Sequence, residues 1–243
     1  MAYNSAMKSS VEEIQQRFDS DVERFSNLET GQSAVVDAPL ALELITQAAA
    51  ATTPQAKSLL DIGCGAGNYS LRMLGEIPNL NCTLVDLSRP MLERAVQRVT
   101  AQTSGMVTAM QGDIRELALG AGQYDIILAA AVLHHLREES EWRTVYAELY
   151  AALTPGGSLW VSDLVVENSA AVHAIMWKRY GQYLASLKNE EYRDSVFAYI
   201  EKEDTPRSLL FQIEMMREVG FREIDILHKN SVFASFGGRK LAE

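Results

Sequence analysis

The segment Leu60-Asp61-Ile62-Gly63-Cys64-Gly65-Ala66-Gly67 constrains the fold more than any other part of this chain. A short apolar run is interrupted by alternating glycines and then gives way to a helical pattern. In a doubly wound sheet, such a strand, loop and helix sit where ligands bind, at the carboxyl ends of the strands. Glycine permits positive φ and lets a ligand come close to the main chain. A glycine loop alone does not name the ligand, since nicotinamide and flavin enzymes also have one. The spacing here is G-x-G-x-G, whereas dinucleotide binders carry G-x-G-x-x-G. Asp61 stands two residues before the first glycine. A carboxylate there repels a pyrophosphate and suits a ligand that is cationic near the loop, one bearing an amino-acid ammonium and a sulfonium.

The rest of the chain keeps the same rhythm. Strand-like runs fall at Ser58–Ile62, Asn81–Asp86, Met106–Met110, Tyr124–Ala129 and Ser158–Asp163. Helical patterns at Tyr69–Gly75, Pro90–Gln102 and Glu138–Leu153 separate them, which predicts βαβ units and a parallel sheet. Upstream, Val11, Ile14, Phe18, Val22 and Phe25 share one face of a helix over 11–25, and a second helix is expected over Pro39–Ala51. Thr205-Pro206 predicts the start of a later helix that Gly220 stops. Phe221–Leu227 and Ser231–Phe236, separated by His228–Asn230, read as an antiparallel hairpin closing the sheet. The fold class expected is α/β: a Rossmann-like doubly wound sheet of seven strands, mostly parallel with an antiparallel C-terminal hairpin. The expected division is one domain over 1–243. It comprises an N-terminal helical cap (1–56), a cofactor-binding core (57–165), a helical lid insertion (166–204), and a C-terminal helix and hairpin (205–243).

Further carboxylates fall at strand ends. Asp86, followed by Leu87, ends the second strand, where it can accept both hydroxyls of an adenosine ribose. Asp113 follows the third strand and could accept an adenine amino group while Ile114 packs on the ring. Ala129, Ala130 and Ala131 end the fourth, and their small side chains leave carbonyls free for an ammonium. Cys64 reads as a small filler in the loop.

Formal net charge is −10, which argues against nucleic acid as the default partner, although a local basic patch is not excluded by it. Cys64 and Cys82 are too few for a disulfide framework or a thiolate zinc site, and no metal site is expected. No apolar run reaches the roughly 18 residues needed to span a bilayer, and no secretory h-region precedes the first helix, so no membrane partner and a cytoplasmic address are expected.

Asp61–Gly67, Asp86, Asp113-Ile114, Ala129–Leu136 and Leu153-Thr154-Pro155-Gly156-Gly157 together resemble the successive motifs of class I S-adenosylmethionine-dependent methyltransferases. The resemblance covers about residues 57–165 and implies S-adenosyl-L-methionine as cofactor, with S-adenosyl-L-homocysteine as product. Asp61, Gly63, Cys64, Gly65, Gly67, Asp86, Leu87, Met91, Asp113, Ile114, Ala129 and Ala130 are then the cofactor-binding residues. A narrower similarity, through Phe18-Asp19, the insertion after Asp163 and the Gly220-Phe221 to Gly237-Gly238 ending, is to the carboxy-S-adenosylmethionine synthases of tRNA wobble-uridine modification and their uncharacterised relatives. That family has asparagine and an aromatic after its fourth strand, where this chain has Ala130 and Ala131.

Methyl transfer from a sulfonium is an in-line displacement, so the protein chiefly aligns the acceptor and excludes water. His134 is the candidate base, and His135 reads more readily as a packing or capping residue. Trp177 and Tyr180, with Tyr183, sit at helical spacing and either form an aromatic lid over the acceptor or belong to the core. Arg24 and Gln32 are candidates for closing the cofactor cleft, and Lys178 and Arg179 either attract an anionic acceptor or are solvated. The expected function is methyl transfer to a small-molecule acceptor. The alternatives are a tRNA-modification enzyme of the carboxy-S-adenosylmethionine synthase type and a cofactor-binding partner subunit without activity. A homodimer stays open.

Overall fold

The computed structural model describes residues 8–27 and 31–242. Strands β1 (Ser58–Ile62), β2 (Asn81–Asp86), β3 (Val107–Gln111), β4 (Tyr124–Ala130) and β5 (Leu153–Leu164) pair in parallel. Strands β6 (Arg222–Asn230) and β7 (Phe233–Arg239) form the hairpin, and β7 pairs antiparallel to both β5 and β6. The resulting order, β3-β2-β1-β4-β5-β7-β6, reverses direction between β1 and β4. That reversal leaves a crevice at the strand tips, the place where open α/β sheets bind ligands.

Alternation along each buried strand sends successive side chains to opposite faces. Leu59, Leu84, Ile126, Leu128 and Trp160 meet the apolar faces of α3 (Ala38–Thr52), α4 (Asn68–Glu76) and α5 (Arg89–Thr100). Leu60, Val85, Ile127, Leu159 and Val161 meet α6 (Glu139–Ala152) and α9 (Leu209–Val219), whose Trp142, Tyr146 and Met216 are fully buried. Ser88 caps α5 from its N-terminal end, its hydroxyl accepting the Met91 N–H, with Pro90 in the first turn as the sequence predicts.

Several expected boundaries move. The single helix expected over 11–25 is two, α1 (Val11–Asp19) and α2 (Val22–Ser26). Ser20 breaks it, because its hydroxyl and its N–H both donate to the Arg17 carbonyl. Helix α9 starts at Leu209, capped by Ser208, and not at Thr205-Pro206. The Thr205 N–H instead donates to the His134 carbonyl at 2.7 Å, and Ser208 bridges to Val166, which holds 205–208 extended. The hairpin turns at Ser231, which takes φ 51°, and β6 runs on through His228–Asn230.

The insertion folds as α7 (Ala170–Leu187) and α8 (Glu190–Glu203). Their Tyr180, Leu184 and Ile200 pack on Leu164 at the end of β5, on Phe233 at the start of β7 and on Val36. The insertion therefore covers the same end of the sheet at which β1 and β4 deliver their loops.

Candidate active site

Two adjoining cavities open at the strand tips. The first is lined by the loop after β1 (Gly63, Cys64, Gly65), by Asp86, Leu87 and Met91 after β2, by Asp113 and Ile114 after β3, and by Ala130 after β4. Helix α1 roofs it with Val11, Ile14 and Phe18, the apolar face evident in the sequence but not assigned there to a site. Gly63 and Gly65 take φ of 64° and 50°. A side chain on Gly63 would press on Val132 at 2.8 Å, whereas one on Gly65 would point into open space, so that loop keeps a bare peptide toward the cavity.

Asp86 lies at the cavity wall with 9% exposure. One carboxylate oxygen accepts the Gly65 N–H and the other the Ser88 N–H, both at 2.8 Å, which fixes the group against loop and helix. Each oxygen keeps a further lone pair for a ligand hydroxyl. Burial pushes this carboxyl up to about 6, against the pull of the two N–H groups.

Three expected cofactor residues lie elsewhere. Asp61 shares the β1 face of Leu59 and points at α4, where its Oδ2 accepts the Ser70 hydroxyl at 2.6 Å and the Ser70 N–H at 3.1 Å. It anchors the helix behind the loop and does not line the cavity, and burial drives its carboxyl up to about 7. Gly67 caps α4 at φ 83° with its Cβ position against Ala95 and Val99, so it serves helix packing. Ala129 is fully buried between β1 and β5, paired with Ile62 and Val161; Ala130 and Ala131 are the ones at the cavity. Asp113 does line the cavity, but both of its carboxylate oxygens are engaged by the Arg115 guanidinium. Burial raises this carboxyl and Arg115 outweighs it, leaving it below the usual range.

The second cavity lies between α1, α8, α7 and the β5 tip, lined by Phe18, Tyr180, Tyr192, Val196, Tyr199 and Phe233 among others. Phe18, Phe25, Gln32, Tyr69, Ala131 and His135 line both cavities, so the two share a wall. Tyr180 is among the lining residues, its hydroxyl donating to the Ala34 carbonyl. Trp177 lines neither cavity: it stacks on Phe197 with ring centroids 4.5 Å apart, a packing role between α7 and α8. Arg24 lines the second cavity while pairing with Asp21, and Gln32 reaches both.

His134 and His135 belong to a 3-10 turn (Leu133–His135) that follows β4. His134 lines the second cavity only, and its Nδ1 pairs with Asp163, which also accepts the His134 N–H. Its Nε2 stands 3.6 Å from Asp204 Oδ1. Burial opposes charge on this ring, yet the Asp163 and Asp204 carboxylates outweigh it and hold the imidazole up to about 9. Both carboxylates thus favour a positive charge at this ring, which opposes the role of free base expected of it. His135 Nδ1 lies 3.3 Å from Asp204 Oδ1, and neither His135 ring nitrogen nor that oxygen has a hydrogen-bond partner. Burial, with the neighbouring His134 charge, lowers His135 well below its ordinary value. Asp163 was legible in outline, as a carboxylate ending a strand at the ligand-binding edge. Asp204 had no sequence signal, because only the fold of the insertion brings it to the β4 turn.

A methyltransferase domain family matches residues 59–157. Among curated relatives, the malonyl-[acyl-carrier protein] O-methyltransferase of Priestia megaterium is 32% identical over 180 residues, 73% of this chain and 63% of that protein. The chain thus spans less than two thirds of that enzyme's length. The demethylmenaquinone methyltransferase of Listeria monocytogenes is 26% identical over 195 residues, 76% of this chain and 79% of that protein. A solved structure from Thermotoga maritima, described as an S-adenosylmethionine-dependent methyltransferase and possible histamine N-methyltransferase, superposes with a TM-score of 0.60 at 19% identity, covering 95% of this chain and 100% of the other. The sheet order with its antiparallel C-terminal pair is that of the class I methyltransferase fold, and residues 59–157, which hold the glycine loop and Asp86, match a methyltransferase domain.

Proposed function

We propose that the chain binds S-adenosylmethionine in the first cavity and methylates a small molecule held in the second. The observation that carries this reading is the wall common to both cavities, which puts a nucleoside site and an aromatic acceptor site within reach of one transfer. The residues present fit the cofactor on their own geometry. Asp86 offers two oriented oxygens to a ribose, Gly65 leaves bare peptide and open space for an amino-acid tail, and Met91, Leu87 and Ile114 supply an apolar slot for a purine.

When bound, S-adenosylmethionine supplies an activated methyl group on a cationic sulfur. The chain's own residues then align and enclose. Phe18 and Phe25 exclude water from the shared wall, and Tyr180, Tyr192 and Tyr199 offer flat surfaces to an acceptor. The acidic balance of the chain favours a small acceptor over a polyanion. The relatives are named for malonyl-[acyl-carrier protein] and for demethylmenaquinone, and they lend no support to the tRNA-modification reading. The test is calorimetry with S-adenosylhomocysteine, followed by an acceptor screen read by homocysteine release. Stoichiometric binding and turnover on a small metabolite are expected. Absence of binding ends the reading, and turnover on tRNA alone replaces it.

A further inference from the structure

We propose that His134, His135 and Asp204 form a binding site for one divalent transition-metal ion of the zinc class, on the floor of the second cavity. The three residues bring one ligand atom each to within 4.8 Å of one another. Asp204 Oδ1 is 3.6 Å from His134 Nε2 and 3.3 Å from His135 Nδ1. The edge of a tetrahedron with metal–ligand bonds of about 2.0–2.1 Å measures about 3.4 Å, so the two distances to Asp204 Oδ1 are those of ligands around a shared ion, slightly long for direct hydrogen bonds.

Three independent features point to an occupant. First, Asp204 Oδ1 and both His135 ring nitrogens are buried without a hydrogen-bond partner, and the Asp204 side chain is 2% exposed. Buried polar atoms of this kind ordinarily find a partner, and a bound cation is one that suits a carboxylate and two imidazoles together. Second, Asp163 holds Nδ1 of His134 and also accepts that residue's backbone N–H, which turns Nε2 toward Asp204. A carboxylate behind a histidine is the support that metal-binding imidazoles usually have. Third, the backbone pins the ligands together: the Thr205 N–H, next to Asp204, donates to the His134 carbonyl. The carboxylates that favour a proton on His134 favour a dication in its place. Two imidazoles and one carboxylate leave a coordination position open toward the cavity, where an acceptor oxygen or water can sit. This inference rests on the cluster and not on the methyltransferase reading.

The test uses the full chain, stripped with chelator and titrated with Co2+ and with Zn2+ in the absence of cofactor and acceptor. Expected are one ion per chain, visible d–d absorption of a four- or five-coordinate cobalt site, and displacement of cobalt by zinc. Asp204→Asn and His135→Ala should each lower affinity by at least 100-fold, and Asp163→Asn by about 10–100-fold as a supporting partner. Trp177→Phe should leave binding unchanged, and circular dichroism checks that every variant is folded. No cobalt band, or a band that survives in folded Asp204→Asn, overturns the proposal. Calorimetry with S-adenosylhomocysteine on the stripped protein reads the cofactor site separately, so the two readings fail independently.

Discussion

The wall of the first cavity and the wall of the second are built by different routes. The first comes from consecutive strand tips: Gly63–Gly65 after β1, Asp86 after β2, Ile114 after β3 and Ala130 at the end of β4. Each is placed by the sheet register and its own adjoining turn. The second is gathered from a 3-10 turn, the tip of β5, the end of α8 and the N-terminal helix, segments far apart in the chain. The difference teaches which kind of site a motif can record. Residues held by their immediate neighbours keep a fixed spacing, whereas residues brought together by packing do not.

The sharpest way to break this contrast is Gly65→Val. Its Cβ would meet no protein atom within 4 Å, so the substitution intrudes on the cavity and not on the core, at a cost for a β-branched residue at φ 50° of about 1–2 kcal/mol. Cofactor should then no longer raise the melting temperature, with the unliganded protein still folded. Retained thermal stabilisation by S-adenosylmethionine would remove the loop from the site. Next in size, Asp86→Ala should weaken S-adenosylhomocysteine binding by about 1–3 kcal/mol in calorimetry, by leaving ribose hydroxyls without an acceptor.

A smaller effect sharpens the same point through pH. Burial pushes the Asp86 carboxyl up to about 6, and the ionised form is the better acceptor for hydroxyls. Affinity should therefore rise with pH through that value, falling about tenfold from about pH 7 to about pH 5. Asp86→Asn should flatten the profile; a variant that keeps the slope assigns it to another group. The smallest effect belongs to Trp177→Leu on the other side. It loses the stack on Phe197, worth about 0.5–1.5 kcal/mol in chemical denaturation, and should leave cofactor affinity unchanged.

The same contrast explains what the sequence revealed. Strands β1 and β2 have the bounds their apolar runs predict, because buried parallel strands ended by glycine or a capped helix leave little freedom. Asp61 misled because the two-residue period of β1 turns its side chain to the α4 face, a fact that the motif spacing does not carry. Asp113 lies at the cavity as expected, but with Arg115, two residues on, as a partner that the motif spacing does not announce. His134 and Trp177 misled for the tertiary reason: nothing local announces that Asp163 and Asp204 clamp the one, or that Phe197 covers the other. Thr205-Pro206 had a helix-start pattern, but the Thr205 N–H was committed to the His134 carbonyl.

Helix α1 touches both compartments, and its anchors are split between them. At one end Asp19 accepts the hydroxyl of Ser88, the residue whose N–H also steadies Asp86. Beside it, Arg17 pairs with Glu203 and Tyr199 on α8, the neighbour of Asp204. A single rod is thereby bolted to both chambers. The cap of α5 beside the first cavity and the end of α8 beside the second are tied through this one helix, with no longer route needed through the sheet.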